Sequence, residues 1–161
     1  MMPNNYKFPE RPLKTCKLRT AGLASVNSAK FGLVRRNADG SKRAHQGVDL
    51  AEDNGYRVYA VDGGEIVSIT RNPSGYGLAI TLKIKGQNLW VFYAHLSDVK
   101  VSVGDRVQAG VCIGLTGSSG NASGMRDEAH GSHLHFEVRT QLNAGLVLAG
   151  RVDPLAYFEL D

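Results

Sequence analysis

Residues 132–140 read SHLHFEVRT, and the alternation in this stretch decides the kind of fold the chain adopts. In a strand, successive side chains point to opposite faces. His133, His135, Glu137 and Arg139 therefore share one face, and Leu134, Phe136 and Val138 share the other. The apolar set is a core face, so the polar set lines a surface or a groove. At about 3.3 Å per residue the two histidines stand roughly 6.6 Å apart along the strand. Imidazoles at that spacing converge on one ion, or one binds it while the other waits at its edge, or both are simply exposed. Spacing alone does not decide.

The same period extends outward. GLAITLKIK (77–85) places Leu78, Ile80, Leu82 and Ile84 on one face and Ala79, Thr81, Lys83 and Lys85 on the other. KGQN (85–88) is a turn signal and LWVFYAHL (89–96) resumes the strand, which predicts a β-hairpin over residues 77–96. VYAVDGGEIVSI (58–69) is a strand broken by a Gly-Gly bend. Residues 101–117 carry Gly104, Gly110, Gly114 and Gly117 among short apolar pairs, as a sharply turning meander does. Residues 118–132 are a loop by composition, and VDPLAYFEL (152–160) closes the chain. No long helix is expected. The fold class is mainly β, a small antiparallel sheet domain with an N-terminal arm.

A chain of 161 residues makes one domain with a short appendage. No run approaches the roughly 18 apolar residues that span a bilayer. MMPNNYKFPERPLKTCK has no apolar core of the kind a secretion signal needs. Residues 1–43 hold ten Lys/Arg against two Asp/Glu, whereas residues 44–161 hold nine against thirteen. The expected division is a basic arm, 1–25, loosely attached to a domain over 26–161. By charge such an arm suits nucleic acid, an anionic cell-wall polymer, a membrane surface or plain solvation. No base-reading motif accompanies it, so no nucleic-acid partner is expected. Cys16 and Cys112 lack metal-knuckle or redox spacing. Cys112, in GVCIG, is expected to be buried, and a disulfide between the two is open only after export.

HQGVDL (45–50) sets His45 and Asp49 four residues apart. Gly47 and Val48 disfavour a helix there, and a straight strand would separate the pair by roughly 13 Å. A bend at Gly47 would let both close on one cation. His95, in FYAHL, ends a strand and by simple alternation shares a face with Val91 and Tyr93. Four of the five histidines thus occupy strand ends or strand faces, with a carboxylate at ligand spacing from the first. Two His and one Asp with an open position is the stoichiometry of a catalytic zinc, and the remaining histidines would supply acid and base. His130 matches no period and is expected to be exposed.

In order, HQGVDL, YAHL and HLHFEVR resemble the motif set of the lysostaphin-type (LytM-type) zinc endopeptidases, which cut peptidoglycan peptides. The likeness extends over roughly residues 26–157, through FGLVR, SGYGLAITL and VSVGDRVQAGVCIGLTGSSGN. The resemblance implies one Zn2+ per chain held by His45, Asp49 and His135. It implies His95 and His133 as the catalytic pair, a groove over the metal, and a peptidoglycan peptide as substrate. A monomer acting at the cell wall or in the periplasm is expected. Without a leader, delivery by a phage device or a secretion machine is the expected route, with an immunity or delivery protein as partner. The competing reading is a non-catalytic wall-binding or hydrolase-activator module on the same scaffold. Two features depart from the family pattern: the loop MRDEAHGS (125–132) is longer and charged, and the basic arm has no counterpart.

Overall fold

The computed structural model describes residues 5–161. Among these residues helix is confined to four 3₁₀ turns of three or four residues, and twelve short strands carry the fold. In chain order they are β1 (Gly32–Arg36), β2 (Lys42–His45), β3 (Val48–Ala51), β4 (Arg57–Tyr59), β5 (Gly64–Asn72) and β6 (Gly77–Ile84). There follow β7 (Trp90–Leu96), β8 (Asp98–Val99), β9 (Arg106–Val107), β10 (Cys112–Leu115), β11 (His133–Arg139) and β12 (Arg151–Val152). No helix in the described residues is long and apolar enough to cross a membrane.

The main sheet has seven strands, with β12, β11, β7, β6, β5 and β9 side by side. One edge of β11 pairs with β7; the other pairs with β3 over residues 133–136 and with β12 over 138–139. Every pairing is antiparallel, as the alternating sequence requires. The predicted hairpin is β6–β7, and its Leu78, Ile80, Leu82 and Ile84 are buried together with Leu134, Phe136 and Val138 of β11. A second sheet, β4-β10-β8, adds Val58 and Ile113 to this core. The Gly-Gly break falls between β4 and β5 and sends the two halves of that stretch into different sheets. The core therefore lies on one face of the main sheet, and the other face carries the polar set of β11.

The basic N-terminal segment is not loosely attached. Phe8, Leu13 and Cys16 belong to the central core cluster, with Leu13 only 2% exposed. Backbone bonds tie Phe8 to Tyr157, Glu10 to Val61, Pro12 to Tyr59 and Cys16 to Asp161. Residues 17–19 run beside β3: Ala51 N donates to Lys17 O, Arg19 N donates to Asp49 O, and Leu18 bridges Leu50. Apolar residues at 8, 13 and 16 are too widely spaced to show a strand or helix period, so the charge of the segment masks its anchoring. Cys16, not Cys112, is the fully buried thiol, and both are free.

Leu13→Ala should therefore lower the unfolding free energy by about 2–5 kcal/mol, the range for emptying a packed core site. Urea denaturation checks this, and a change below about 0.5 kcal/mol would mean that the segment contributes no packing.

Candidate functional site

The register of β11 against β3 builds the centre. His135 lies directly opposite Asp49, so both side chains rise from the same face of the sheet. His45 ends β2, and Gln46–Gly47 turn the chain into β3, supplying the expected bend. The need for glycine there is steric. A Cβ at residue 47 would stand 2.2 Å from the Phe136 carbonyl oxygen, so only a bare Cα lets the corner press against β11. The backbone of Gly47 stays out of the left-handed region, so close approach, and not a special dihedral, selects the residue.

The corner brings together three atoms of the kind that bind metal. Asp49 Oδ1 lies 2.9 Å from His45 Nε2 and 3.1 Å from His135 Nδ1, and one atom from each residue falls within 4.8 Å of the others. All three residues are buried. The far nitrogens define the tautomers, because carbonyls and carboxylates only accept. His45 donates from Nδ1 to Lys30 O at 2.9 Å, and His135 donates from Nε2 to Glu137 Oε2 at 2.8 Å. Their remaining nitrogens face Asp49 Oδ1 at distances that call for a proton or a cation between them. Lone pair and carboxylate repel at such distances unless a cation or proton lies between them. A set of two imidazoles and one carboxylate, with second nitrogens fixed by hydrogen bonds, fits a zinc ion.

His133 and His95 flank these atoms. His133 donates from Nδ1 to Gly131 O at 2.7 Å, and its Nε2 lies 3.6 Å from Asp49 Oδ2. His95 donates from Nδ1 to Ser119 O at 2.8 Å, and its ring centroid is 5.0 Å from that of His133 and 6.1 Å from that of His135. Burial pushes both imidazoles down to about 4, helped at His95 by the neighbouring His133 and His135. Both rings are neutral near pH 7, each with Nε2 open as a proton acceptor. For His135 burial pulls the other way, but hydrogen bonds to Asp49 and Glu137 outweigh it and push the imidazole up to about 9. Asp49 is held well below the carboxylate range, its burial outweighed by hydrogen bonds from His135 and His45.

His95 reaches this face against the simple alternation. Ile80 pairs with Tyr93 and Leu78 with Leu96, so Ala79 alone opposes Ala94 and His95. This is a β-bulge, and its extra residue inverts the sidedness of the strand beyond it. Tyr93 and Leu96 stay in the core, whereas His95 turns outward with a φ of +59°. A histidine in the left-handed region is uncommon, and such conformations concentrate at working sites. The expectation that His95 shares a face with Val91 and Tyr93 is corrected by this bulge.

Arg19 and Arg35 occupy the second oxygen of Asp49, at 3.3 and 2.9 Å. Neither is legible in the sequence, because nothing there pairs a cation with an acid 30 or 14 residues away. Glu137 lies on the face that alternation predicts, in contact with the site through His135. Tyr76 stacks on His135 with centroids 5.0 Å apart and planes 20° apart, while Tyr93 is fully buried and accepts from Val61 N. His130 is exposed, as expected, and its Nδ1 lies 2.5 Å from Asp127 Oδ1.

The chain belongs to peptidase family M23, whose family model matches residues 43–147. That bears out the resemblance read from the three motifs. The glycyl-glycine endopeptidase ALE-1 of Staphylococcus capitis is 38% identical over 96 residues, 60% of this chain and 25% of that one. The peptidoglycan DD-endopeptidase ShyA of Vibrio cholerae is 34% identical over 94 residues, 58% of this chain and 20% of its own. In fold, the chain is similar to the catalytic domain of the prophage-encoded M23 protein EnpA from Enterococcus faecalis. The TM-score is 0.65 at 24% identity, over 91% of this chain and 95% of that one. The chain spans about a quarter to two fifths of the length of the first curated relatives it matches.

Gly47→Ala should force β3 and β11 apart at Phe136, lowering stability by about 1–3 kcal/mol as overpacking does. Thermal unfolding checks this, and an unchanged melting temperature would contradict the close-approach reading.

Proposed function

We propose that this chain is a zinc-dependent endopeptidase that hydrolyses peptide bonds of bacterial peptidoglycan, in stem-peptide cross-links or bridges. The observation that carries the reading is the convergence of His45 Nε2, Asp49 Oδ1 and His135 Nδ1 beside two neutral histidines with open Nε2 atoms. The names of two relatives, a glycyl-glycine endopeptidase and a peptidoglycan DD-endopeptidase, support the substrate class. The family supports a peptidase. A non-catalytic module is disfavoured, since both the ligand set and the flanking pair are intact.

His45, Asp49 and His135 would hold the ion, and Arg19 and Arg35 keep the second oxygen of Asp49 engaged so that Oδ1 serves it. When bound, zinc supplies Lewis acidity, which acidifies water and polarises a carbonyl. His133 accepts the proton of the attacking water at Nε2, the hydrogen bond from Nδ1 to Gly131 O fixing its ring. Imidazole so charged is an acid, able to protonate the leaving nitrogen as the peptide bond breaks. His95, across the same space, shares the proton transfer at its open Nε2, and once protonated there it can donate to the former carbonyl oxygen or to the leaving nitrogen.

Changing His45, Asp49 or His135 to Ala should abolish both zinc content and hydrolysis. Changing His133 or His95 to Ala should leave zinc bound and reduce hydrolysis by about 10²–10⁴-fold, the usual contribution of a positioned acid or base. The assay is digestion of purified peptidoglycan with and without chelator, with products identified by mass spectrometry. Stoichiometric zinc in all three ligand variants would refute the assignment. His130→Ala should digest at the wild-type rate.

A further inference from the structure

Glu137 is a carboxylate with no exposed surface, two residues past a metal ligand. Burying a charge is costly unless it is paired and fully hydrogen-bonded. Here both oxygens are used. Oε1 accepts from Arg139 Nε at 2.9 Å and Arg151 Nε at 2.7 Å, which leaves Oε2 to accept from His135 Nε2 at 2.8 Å. The two arginines are themselves fixed. Arg139 lies over the Phe92 ring with Cζ 4.0 Å from its centroid. Arg151 donates from Nη1 to Gly145 O at 2.7 Å and to Val147 O at 3.3 Å.

A free imidazole offers either nitrogen to a metal, and a half-turn about the Cβ–Cγ bond exchanges which edge faces the centre. At His135 that choice is made by the partner on the far edge. We infer that Glu137 is a positioning residue for His135: its carboxylate captures Nε2–H, commits Nδ1 to the metal, and is itself held by Arg139 and Arg151. The inference rests on the ligand set proposed above. It adds a carboxylate–histidine–metal relay, in which the outer carboxylate fixes ring orientation and strengthens the ligand. Buried ion clusters are weak stabilisers, often matched by apolar groups of the same shape, so stability alone does not account for three charged or polar donors on one buried acid.

Two experiments on the full chain test it. Zinc-loaded protein with ¹⁵N-labelled histidine should show His135 coordinated at Nδ1, with a slowly exchanging Nε2–H. Coordination at Nε2 would overturn the relay while leaving the metal site intact, whereas a His135 free of metal at both nitrogens would overturn the ligand set as well. Glu137→Gln keeps the shape, but its amide cannot accept from histidine and arginine together. Zinc should bind about 10–100-fold more weakly, as for other outer-sphere partners, measured by chelator competition. The denaturant midpoint of the metal-free variant reports any purely structural effect. Wild-type zinc affinity in Glu137→Gln would refute the inference. If that variant does not fold, Arg151→Lys decides, with a several-fold weaker affinity supporting the relay and an unchanged one refuting it.

Discussion

The pairing of His135 with Asp49 across β11 and β3 is the constraint on which the rest of the structure depends. Asp49 is 1% exposed, and a carboxylate so placed must have every lone pair answered. One oxygen faces two imidazoles; the other takes two guanidinium groups, from Arg35 of β1 and Arg19 of the N-terminal segment. Much of the architecture serves that one side chain. The Gly47 corner brings β2 and His45 to it, and residues 17–19 close the free edge of the strand that carries it.

Much of this is legible in sequence because strand alternation is a local rule. The period of two separates the polar and apolar faces of β11 and β6 correctly, and so predicts a sheet with one buried face. It also groups His133 with His135 and leaves His130 aside. Gly47 marks a bend because two side chains four residues apart need one to converge, although the physical reason for glycine is the carbonyl of Phe136.

The features hidden from the sequence depend on long-range partners. A bulge is set by which residues lie opposite on another strand, so alternation alone puts His95 on the wrong face. The guanidinium partners of Asp49 and Glu137 come from distant segments, and no spacing rule connects them. Residues 5–19 read as an arm because their charge is conspicuous and their three core anchors are scattered. In each case the missing information is tertiary: the local pattern is sound, and a neighbour out of its reach decides the outcome.

The distances along the chain have a consequence for when chemistry can begin. Asp49 and His135 are 86 residues apart, and the guanidinium that completes Asp49 comes from residue 19. Contacts of that sequence separation carry a loop-closure cost that local contacts do not. No contiguous piece lacking either end of that span contains a complete centre. The site is thus complete only in the finished fold: a chain that lacks residue 19 or residue 135, or in which β3 and β11 have not yet paired, does not hold these groups together.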